Sequence, residues 1–185
     1  MDKDCSDAVR DVDLGIARQN EFPLFAGTTK ENERRPMTAN DSDLCYVVTA
    51  EVAAPARLAF DYLADGTKVG EWALGALEAK RIGRSDLFKG GSVADGSAIA
   101  FRVDADPRRL LIDYHVGSSE KDLAMRITTR VIAGETLGRG KNTCIVSMSA
   151  WRPKSFTERR WSRLKAFHDA EIHILREKIE ALVAK

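Results

Sequence analysis

The chain has 185 residues, of which 44% are hydrophobic and 31% are charged, and its formal net charge is +1. These values are typical of a globular protein with one domain of ordinary size. No stretch approaches the ~20 consecutive apolar residues of a membrane span. The N-terminus, MDKDCSDAVRD, lacks the apolar core of a secretory signal. We therefore expect a cytoplasmic protein without stable membrane insertion.

The distribution of charge separates the first 43 residues from the rest. Residues 1–43 contain 6 Lys/Arg and 10 Asp/Glu, a net of −4, whereas residues 44–185 contain 23 and 18, a net of +5. Residues 28–43 have almost no apolar content, which is typical of a linker or disordered segment. We predict a partly disordered tail and linker over 1–43 and one domain over 44–185. Translation from Met37, which would make residues 1–36 dispensable, is a further hypothesis.

The residues that bind metals or nucleic acids in other proteins show no such pattern here. Cys5, Cys45 and Cys144 have no CxxC or Cys/His spacing, so neither a disulfide framework nor a zinc site is predicted. His168 and His173 are five residues apart, which places them ~140° apart around a helix and prevents a shared metal ion. The basic surplus is too small to predict nucleic-acid binding. We predict no metal and no cofactor.

From Leu44 onward, the sequence predicts short strands and two helices. Residues 45–52 form the first strand, and a short helix over 56–65 follows Pro55. Alternating apolar and polar side chains then predict antiparallel strands with one covered face. These strands are predicted at 78–83, 96–104, 110–116, 123–132 and 143–151, with a loop after the first of them.

Alternation assigns individual side chains to the two faces of the sheet. Tyr114 is predicted to face inward, while Asp113 and His115 face outward. On the strand over 123–132, the inward set is Leu123, Met125, Ile127, Thr129 and Val131, and the outward set contains Arg126 and Arg130. No arginine is therefore predicted to point inward from this strand.

The C-terminal segment predicts one long helix. No glycine or proline occurs after Pro153, and Ser155 and Glu158 match a capping box. A helix from about Thr157 to Val183 would span ~40 Å at 1.5 Å per residue. The basic residues near its start are predicted to form a solvated face. They are Arg159, Arg160, Arg163 and Lys165.

The order of these elements resembles a known superfamily. A strand, the segment VAAPARLAFDYLAD, Trp72, a run of antiparallel strands and a long helix follow one another. Over about residues 44–185 this order resembles the START/polyketide-cyclase-like (SRPBCC, Bet v 1-like) superfamily. The resemblance implies an α+β helix-grip fold, in which a curved antiparallel sheet wraps around the C-terminal helix and encloses an apolar cavity. Members bind lipids, sterols, polyketides or plant hormones, and some cyclise or dehydrate polyketides.

The segment LKAFHDAEIHIL places an imidazole on the apolar face of the predicted helix. At 100° per residue, His168 lies between Leu164 and Leu175, and Glu171 lies at the edge of the same stripe. A buried unpaired carboxylate is costly, so Glu171 must be paired, protonated or in contact with water. Two interpretations remain open: a structural His–Glu contact, and a polar anchor in an apolar ligand pocket.

We expect the domain to bind a small hydrophobic molecule between the sheet and the last helix. A lipid, a polyketide or another aromatic or isoprenoid-like molecule fits this expectation. His168 and Glu171 are predicted to orient a hydroxyl or carbonyl of the ligand. The apolar and aromatic lining is predicted to be Trp72, Phe101, Tyr114, Met125, Ile127, Met148, Leu164 and Leu175.

Two alternatives remain open at this point. The first is a polyketide cyclase, aromatase or dehydratase with His168 as general acid/base, because imidazole titrates near neutral pH. Glu171 and Tyr114 are further catalytic candidates, and the resemblance implies pocket arginines in lyase-type members. The second is a protein-interaction module that docks through the acidic tail or the basic start of the last helix. The sequence is compatible with a monomer or a homodimer.

Overall fold

The predicted strands form a single antiparallel sheet against the long helix. A computed structural model describes residues 43–184; the predicted tail and the Met37 hypothesis therefore lie almost wholly outside the described residues. The strands are β1 Cys45–Val52, β2 Leu77–Arg81, β3 Leu87–Gly91, β4 Ala98–Asp106, β5 Leu111–Gly117, β6 Ala124–Ala133 and β7 Cys144–Trp151. The helices are α1 Ala56–Ala64 and α2 Glu158–Val183. The strand order is β1-β7-β6-β5-β4-β3-β2, and the predicted α+β helix-grip fold is confirmed.

The alternation of β7 shows how the sequence builds the core. Cys144, Val146, Met148 and Ala150 are buried, whereas the residues between them are only partly covered. The buried side packs in one core cluster with Leu175 and Ile179 of α2, both fully buried. Burial of this apolar surface on both elements is the main force that holds the helix in the sheet.

Strand β3 was predicted as a loop, and that prediction is wrong. The segment Leu87–Gly91 contains two glycines in five residues, which hides its strand character. It pairs with β2 and β4, and Phe88 stacks on Phe101 with 5.3 Å between ring centroids. Gly90 is needed because a Cβ there would lie 2.5 Å from the carbonyl oxygen of Ala76. The strand thus holds the segment before β2 close to the sheet.

A β-bulge interrupts the alternation of β6. Tyr114 pairs with Ile127, but the next residue, His115, pairs with Met125, which leaves Arg126 as the extra residue. A bulge shifts the side-chain alternation by one position. Met125 consequently lies exposed, and Arg126 lines the cavity described below. The predicted faces of these two residues are therefore wrong.

Helix α2 begins where the sequence predicts, but with a different cap. The side chain of Thr157 accepts a hydrogen bond from the backbone N–H of Arg160, so Thr157, and not Ser155, caps the helix. Its buried face includes His168 and Glu171, as the helical spacing predicts. In the part of the chain that the structure describes, no helix is long and apolar enough to cross a membrane.

Candidate functional site

A cavity of about 170 Å³ lies between α2, the inner face of the sheet and residues 69–76. Most of its lining is apolar or aromatic, and the polar groups come from α2, from β6 and from the β3–β4 loop. The exposed side chains Ser97, Arg160 and Arg163 mark its mouth, and the buried His168 and Glu171 lie at its inner wall. The lining residues are Val69, Trp72, Ala73, Gly75, Ala76, Ser92, Ser97, Ile99, Phe101, Tyr114, Val116, Arg126, Ile127, Phe156, Arg160, Arg163, Leu164, Phe167, His168 and Glu171.

His168 and Glu171 form a buried pair in the cavity wall. The distance between Nδ1 of His168 and Oε2 of Glu171 is 2.6 Å, and each residue is only 3% exposed. They stand three positions apart on α2, a spacing that brings side chains together on one helix face. Because a carboxylate accepts hydrogen bonds, we assign a proton to Nδ1 of His168. In the neutral ring, Nε2 is then an acceptor.

The second oxygen of Glu171 fixes the segment that closes the cavity. Oε1 accepts hydrogen bonds from the backbone N–H groups of Leu74 at 2.7 Å and Gly75 at 3.4 Å. These bonds hold the segment that follows Trp72, whose ring meets that of Tyr114 edge to face with centroids 6.0 Å apart. Both carboxylate oxygens therefore have partners, which answers the question of how this buried acid is tolerated.

Two buried nitrogens of the cavity wall have no partner among the described residues. They are Nε2 of His168 and Nε1 of Trp72. Leaving a buried polar atom unpaired costs about 1–3 kcal/mol. One is an acceptor and the other a donor, so a ligand with one hydroxyl or carbonyl group offers a matching hydrogen bond.

Tyr114 presents its ring to the cavity, while its hydroxyl is engaged elsewhere. The Oη atom donates a hydrogen bond of 2.8 Å to the backbone carbonyl of Leu63, in a buried environment. Burial raises the pKa of the Tyr114 hydroxyl. A proton held in this way is poorly placed for transfer to a ligand, so the geometry favours a packing role for Tyr114 over a catalytic one.

Seven of the ten predicted lining residues lie in the cavity wall, and three do not. Met148 and Leu175 are fully buried in the core, away from the cavity. Met125 is on the outer face of the sheet because of the bulge in β6. The seven in the wall are Trp72, Phe101, Tyr114, Ile127, Leu164, His168 and Glu171.

The sequence analysis missed three arginines that line the cavity, namely Arg126, Arg160 and Arg163. Arg126 was assigned to the outer face because a bulge is not visible in the alternation pattern. Arg160 was assigned to a solvated face, although it lies four residues before Leu164 and eight before His168. That spacing places Arg160, Leu164 and His168 on one side of a helix, so the sequence did contain a sign that Arg160 lies near the cavity.

A charged contact spans the mouth of the cavity. Arg163 Nη2 lies 3.1 Å from Asp95 Oδ2 in the β3–β4 loop. Hydrogen bonds from the side chain and backbone of Ser97, together with the charge of Arg163, lower the pKa of Asp95. Both side chains of the Asp95–Arg163 pair are about 40% exposed, so the pair adds little to stability. Its main effect is to hold the β3–β4 loop beside α2.

Several solved structures share this fold at low sequence identity. The Zhui aromatase/cyclase from Streptomyces sp. R1128 has a TM-score of 0.57 at 15% identity, with 75% of this chain and 94% of that chain covered. The di-domain ARO/CYC protein BexL from the BE-7585A biosynthetic pathway has a TM-score of 0.55 at 16% identity, covering 76% of this chain and 48% of BexL. XoxI from Bacillus cereus has a TM-score of 0.56 at 12% identity, with coverages of 75% and 97%.

No protein-family model and no curated protein sequence matches the chain. The structural likeness confirms the predicted resemblance at the level of the fold. A shared fold does not by itself carry an activity from one protein to another.

Proposed function

We propose that the chain binds a small, ring-containing hydrophobic molecule in the cavity under α2. The observation that carries the proposal is Nε2 of His168, a buried acceptor without a partner among residues 43–184, in an otherwise largely apolar wall. Apolar walls with a few fixed polar groups are typical of small-molecule sites.

The size of the cavity indicates the size of the ligand. A cavity of about 150 Å³ lined by apolar side chains is known to hold benzene, and this one is about 170 Å³. One aromatic ring therefore fits inside, and a larger molecule extends through the mouth between Ser97 and Arg160. Affinity comes mainly from burial of the ring, at roughly 25 cal/mol per Å² before the costs of binding.

Substitution of His168 by leucine tests this proposal. The probes are 2-naphthol and naphthalene, titrated while the fluorescence of the tryptophans is recorded. We expect the His168→Leu variant to bind 2-naphthol about tenfold more weakly, because one hydrogen bond to the hydroxyl is lost. Naphthalene binding should stay within about twofold, since leucine preserves the apolar wall.

The control for this experiment is His173→Leu, which removes the exposed histidine on the same helix. It should leave the affinity of both probes unchanged. The proposal is wrong if neither probe binds the native protein, or if the probes bind with the same affinity to both variants as to the native protein.

A second candidate function is acid–base catalysis on a polyketide-like molecule. Glu171 holds the Nδ1 side of His168, an arrangement that leaves Nε2 ready to accept a proton. The sequence predicted no inward-pointing arginine on the strand over 123–132, whereas three arginines line the cavity. Two of the structures with this fold are named as aromatase/cyclase proteins. Nε2 would take a proton from a carbon between two carbonyls, this carbon would bond to the carbon of a third carbonyl in the same molecule, and the proton would pass to the alkoxide so formed. A second proton from the same carbon would then go by way of Nε2 to the departing hydroxyl, so that a C=C bond forms and water is released.

The two candidates differ in what the His168→Leu variant retains. If the chain is a catalyst, this variant binds a stable polyketide-like product as the native protein does but forms none of it from a linear poly-β-ketone. If the chain only binds its ligand, the native protein forms no more product than buffer does. Mass spectrometry of the native protein purified from its own host would identify the ligand directly.

A further inference from the structure

The wall and the mouth of the cavity carry three arginines that the proposed binding of a hydrophobic molecule does not use. Arg126 comes from the bulge of β6, and Arg160 and Arg163 come from the first turns of α2. All three line the cavity, although they belong to elements far apart in the sequence. Arg160 and Arg163 are three positions apart and so share a helix face.

Most of this charge is not neutralised by the described part of the chain. Arg163 pairs with Asp95 at 3.1 Å. Neither Arg126 nor Arg160 has a carboxylate partner among residues 43–184. Among residues 43–184, Glu171 has the only carboxylate in the cavity wall, and it is already bound to His168 and the backbone. The cavity therefore offers a ligand two guanidinium groups, that of Arg126 in its wall and that of Arg160 at its mouth.

The Arg160 side chain is ordered before any ligand binds. Its guanidinium carbon lies 4.1 Å from the centroid of the Phe156 ring, a cation–π contact that limits the side chain to few orientations. A group ordered before binding loses little entropy when it binds. Arginine is also the side chain that best matches the oxygens of a carboxylate or a phosphate.

We propose that the ligand is an amphipathic acid, with a ring-containing apolar body and an oxyanion held by Arg160 at the mouth together with Arg126 of the cavity wall. This inference rests on the proposed function, because it places the apolar body in the same cavity. A polar group at the other end of the ligand binds His168.

The spacing on α2 sets the length of such a molecule. His168 lies eight residues after Arg160, or ~12 Å along the helix axis at 1.5 Å per residue. The Arg160 guanidinium lies over Phe156, on the side away from His168, so the side chain does not shorten this distance. A hydrogen bond of ~2.9 Å at each end does take up part of it, so the ligand spans roughly 8 Å between its two polar ends. A naphthalene ring with substituents at opposite ends has this length.

The probes that test the inference differ in charge and share one shape. They are 6-hydroxy-2-naphthoate, its neutral amide 6-hydroxy-2-naphthamide, and 2-naphthyl phosphate, which separates a phosphate from a carboxylate. Binding is measured by calorimetric titration at low salt, where charged contacts are least screened. We expect the native protein to bind the carboxylate at least tenfold more tightly than the amide.

The variants Arg126→Gln and Arg160→Gln should each weaken the binding of 6-hydroxy-2-naphthoate about five- to tenfold. Binding of the amide should change less than twofold, which also shows that each variant is folded. The matched controls are Arg130→Gln on the same strand and Arg159→Gln on the same helix, since both residues are exposed and neither lines the cavity. These controls should bind both probes as the native protein does.

The outcomes separate the two proposals. Tighter binding of the phosphate than of the carboxylate supports the inference and assigns a phosphate headgroup. Equal affinity for acid and amide, or equal losses in the control variants, overturns the inference but leaves the proposed function in place. Failure of the acid, the amide and 2-naphthol to bind overturns the proposed function, and the inference with it.

Discussion

At the residue scale, Glu171 links the chemistry of the cavity to its shape. One oxygen orients His168 and the other holds the backbone of Leu74 and Gly75. A contact made by His168 is therefore linked through one carboxylate to the segment that forms the cavity wall. The pair is a structural contact, and in the proposed function it is also a polar anchor, so the two interpretations left open by the sequence are compatible.

The Tyr114 hydroxyl gives a prediction about stability at the same scale. Tyr114→Phe removes the hydrogen bond to the Leu63 carbonyl and leaves that buried acceptor without this donor. We expect the free energy of unfolding to fall by about 1–3 kcal/mol, as measured by urea denaturation. The ring and its contact with Trp72 remain, so binding of 2-naphthol should stay within about twofold.

Tyr46→Phe is the matched control for this variant. The Tyr46 hydroxyl donates to Asp169 at an exposed position, where water replaces the lost partner. Its effect should therefore be below about 1 kcal/mol. A Tyr114→Phe variant that is as stable as Tyr46→Phe, or that no longer binds 2-naphthol, would show that the hydroxyl has another role.

At the element scale, β3 determines where the cavity ends. Gly90 allows the strand to approach Ala76, the last lining residue of the segment that Glu171 holds. Gly90→Ala would place a Cβ 2.5 Å from the backbone oxygen of Ala76, which cannot rotate away as the end of a flexible side chain can. We expect a loss of about 1–3 kcal/mol in the free energy of unfolding, the usual cost of overpacking, and weaker binding of 2-naphthol because the wall is displaced.

The neighbouring glycine provides the control. A Cβ on Gly91 meets nothing within 4 Å, and alanine is favoured over glycine in a strand interior by roughly 0.5–1 kcal/mol. Gly91→Ala should therefore be neutral or slightly stabilising in the same urea experiment. Equal destabilisation by both substitutions would mean that the approach of β3 to Ala76 is not what limits this position.

Some elements of the fold could be predicted from the sequence and others could not. Alternation and helical spacing predicted β1, β7 and α2 well, because their buried faces follow one period from end to end. The pattern was insufficient in β3, where glycine replaces the apolar signal, and in β6, where a bulge shifts the period by one residue. For that reason Arg126 lines the cavity and Met125 is exposed, the reverse of the prediction. A single sequence does not show such a shift.

At the scale of the whole molecule, polar contacts fix α2 against the sheet along its length. Asp43, before β1, lies 3.3 Å from Lys165, and Tyr46 donates to Asp169 at 2.6 Å. The backbone N–H of Ala53, after β1, donates to Glu180 at 2.9 Å. On the other side of the cavity, only the Asp95–Arg163 pair among the ion pairs of residues 43–184 joins the β3–β4 loop to α2.

Carboxylates in two of these contacts, Asp43 and Asp95, and two elsewhere in the fold make it sensitive to acid. The pKa values of Asp43, Glu71, Asp95 and Asp122 are all lowered in the folded protein. A lowered pKa means that the ionised group stabilises the fold above its unfolded pKa, about 4 for these side chains. That contribution is lost as the pH falls through the folded pKa. Unfolding should therefore become easier below about pH 4.

Asp95 supplies the sharpest test of this acid sensitivity, because one substitution removes the contact across the mouth. Asp95→Asn should flatten the fall in the free energy of unfolding between about pH 5 and about pH 3, since the amide does not titrate. It loses the charge that accepts hydrogen bonds from Ser97, the main cause of the lowered pKa, and the charge that pairs with Arg163. Urea denaturation at several pH values measures this slope. Glu177→Gln, which removes one exposed carboxylate without an ion pair among the described residues, should keep the native slope. An unchanged slope in Asp95→Asn would place the acid sensitivity in the other carboxylates and leave the loop–helix contact without an energetic role.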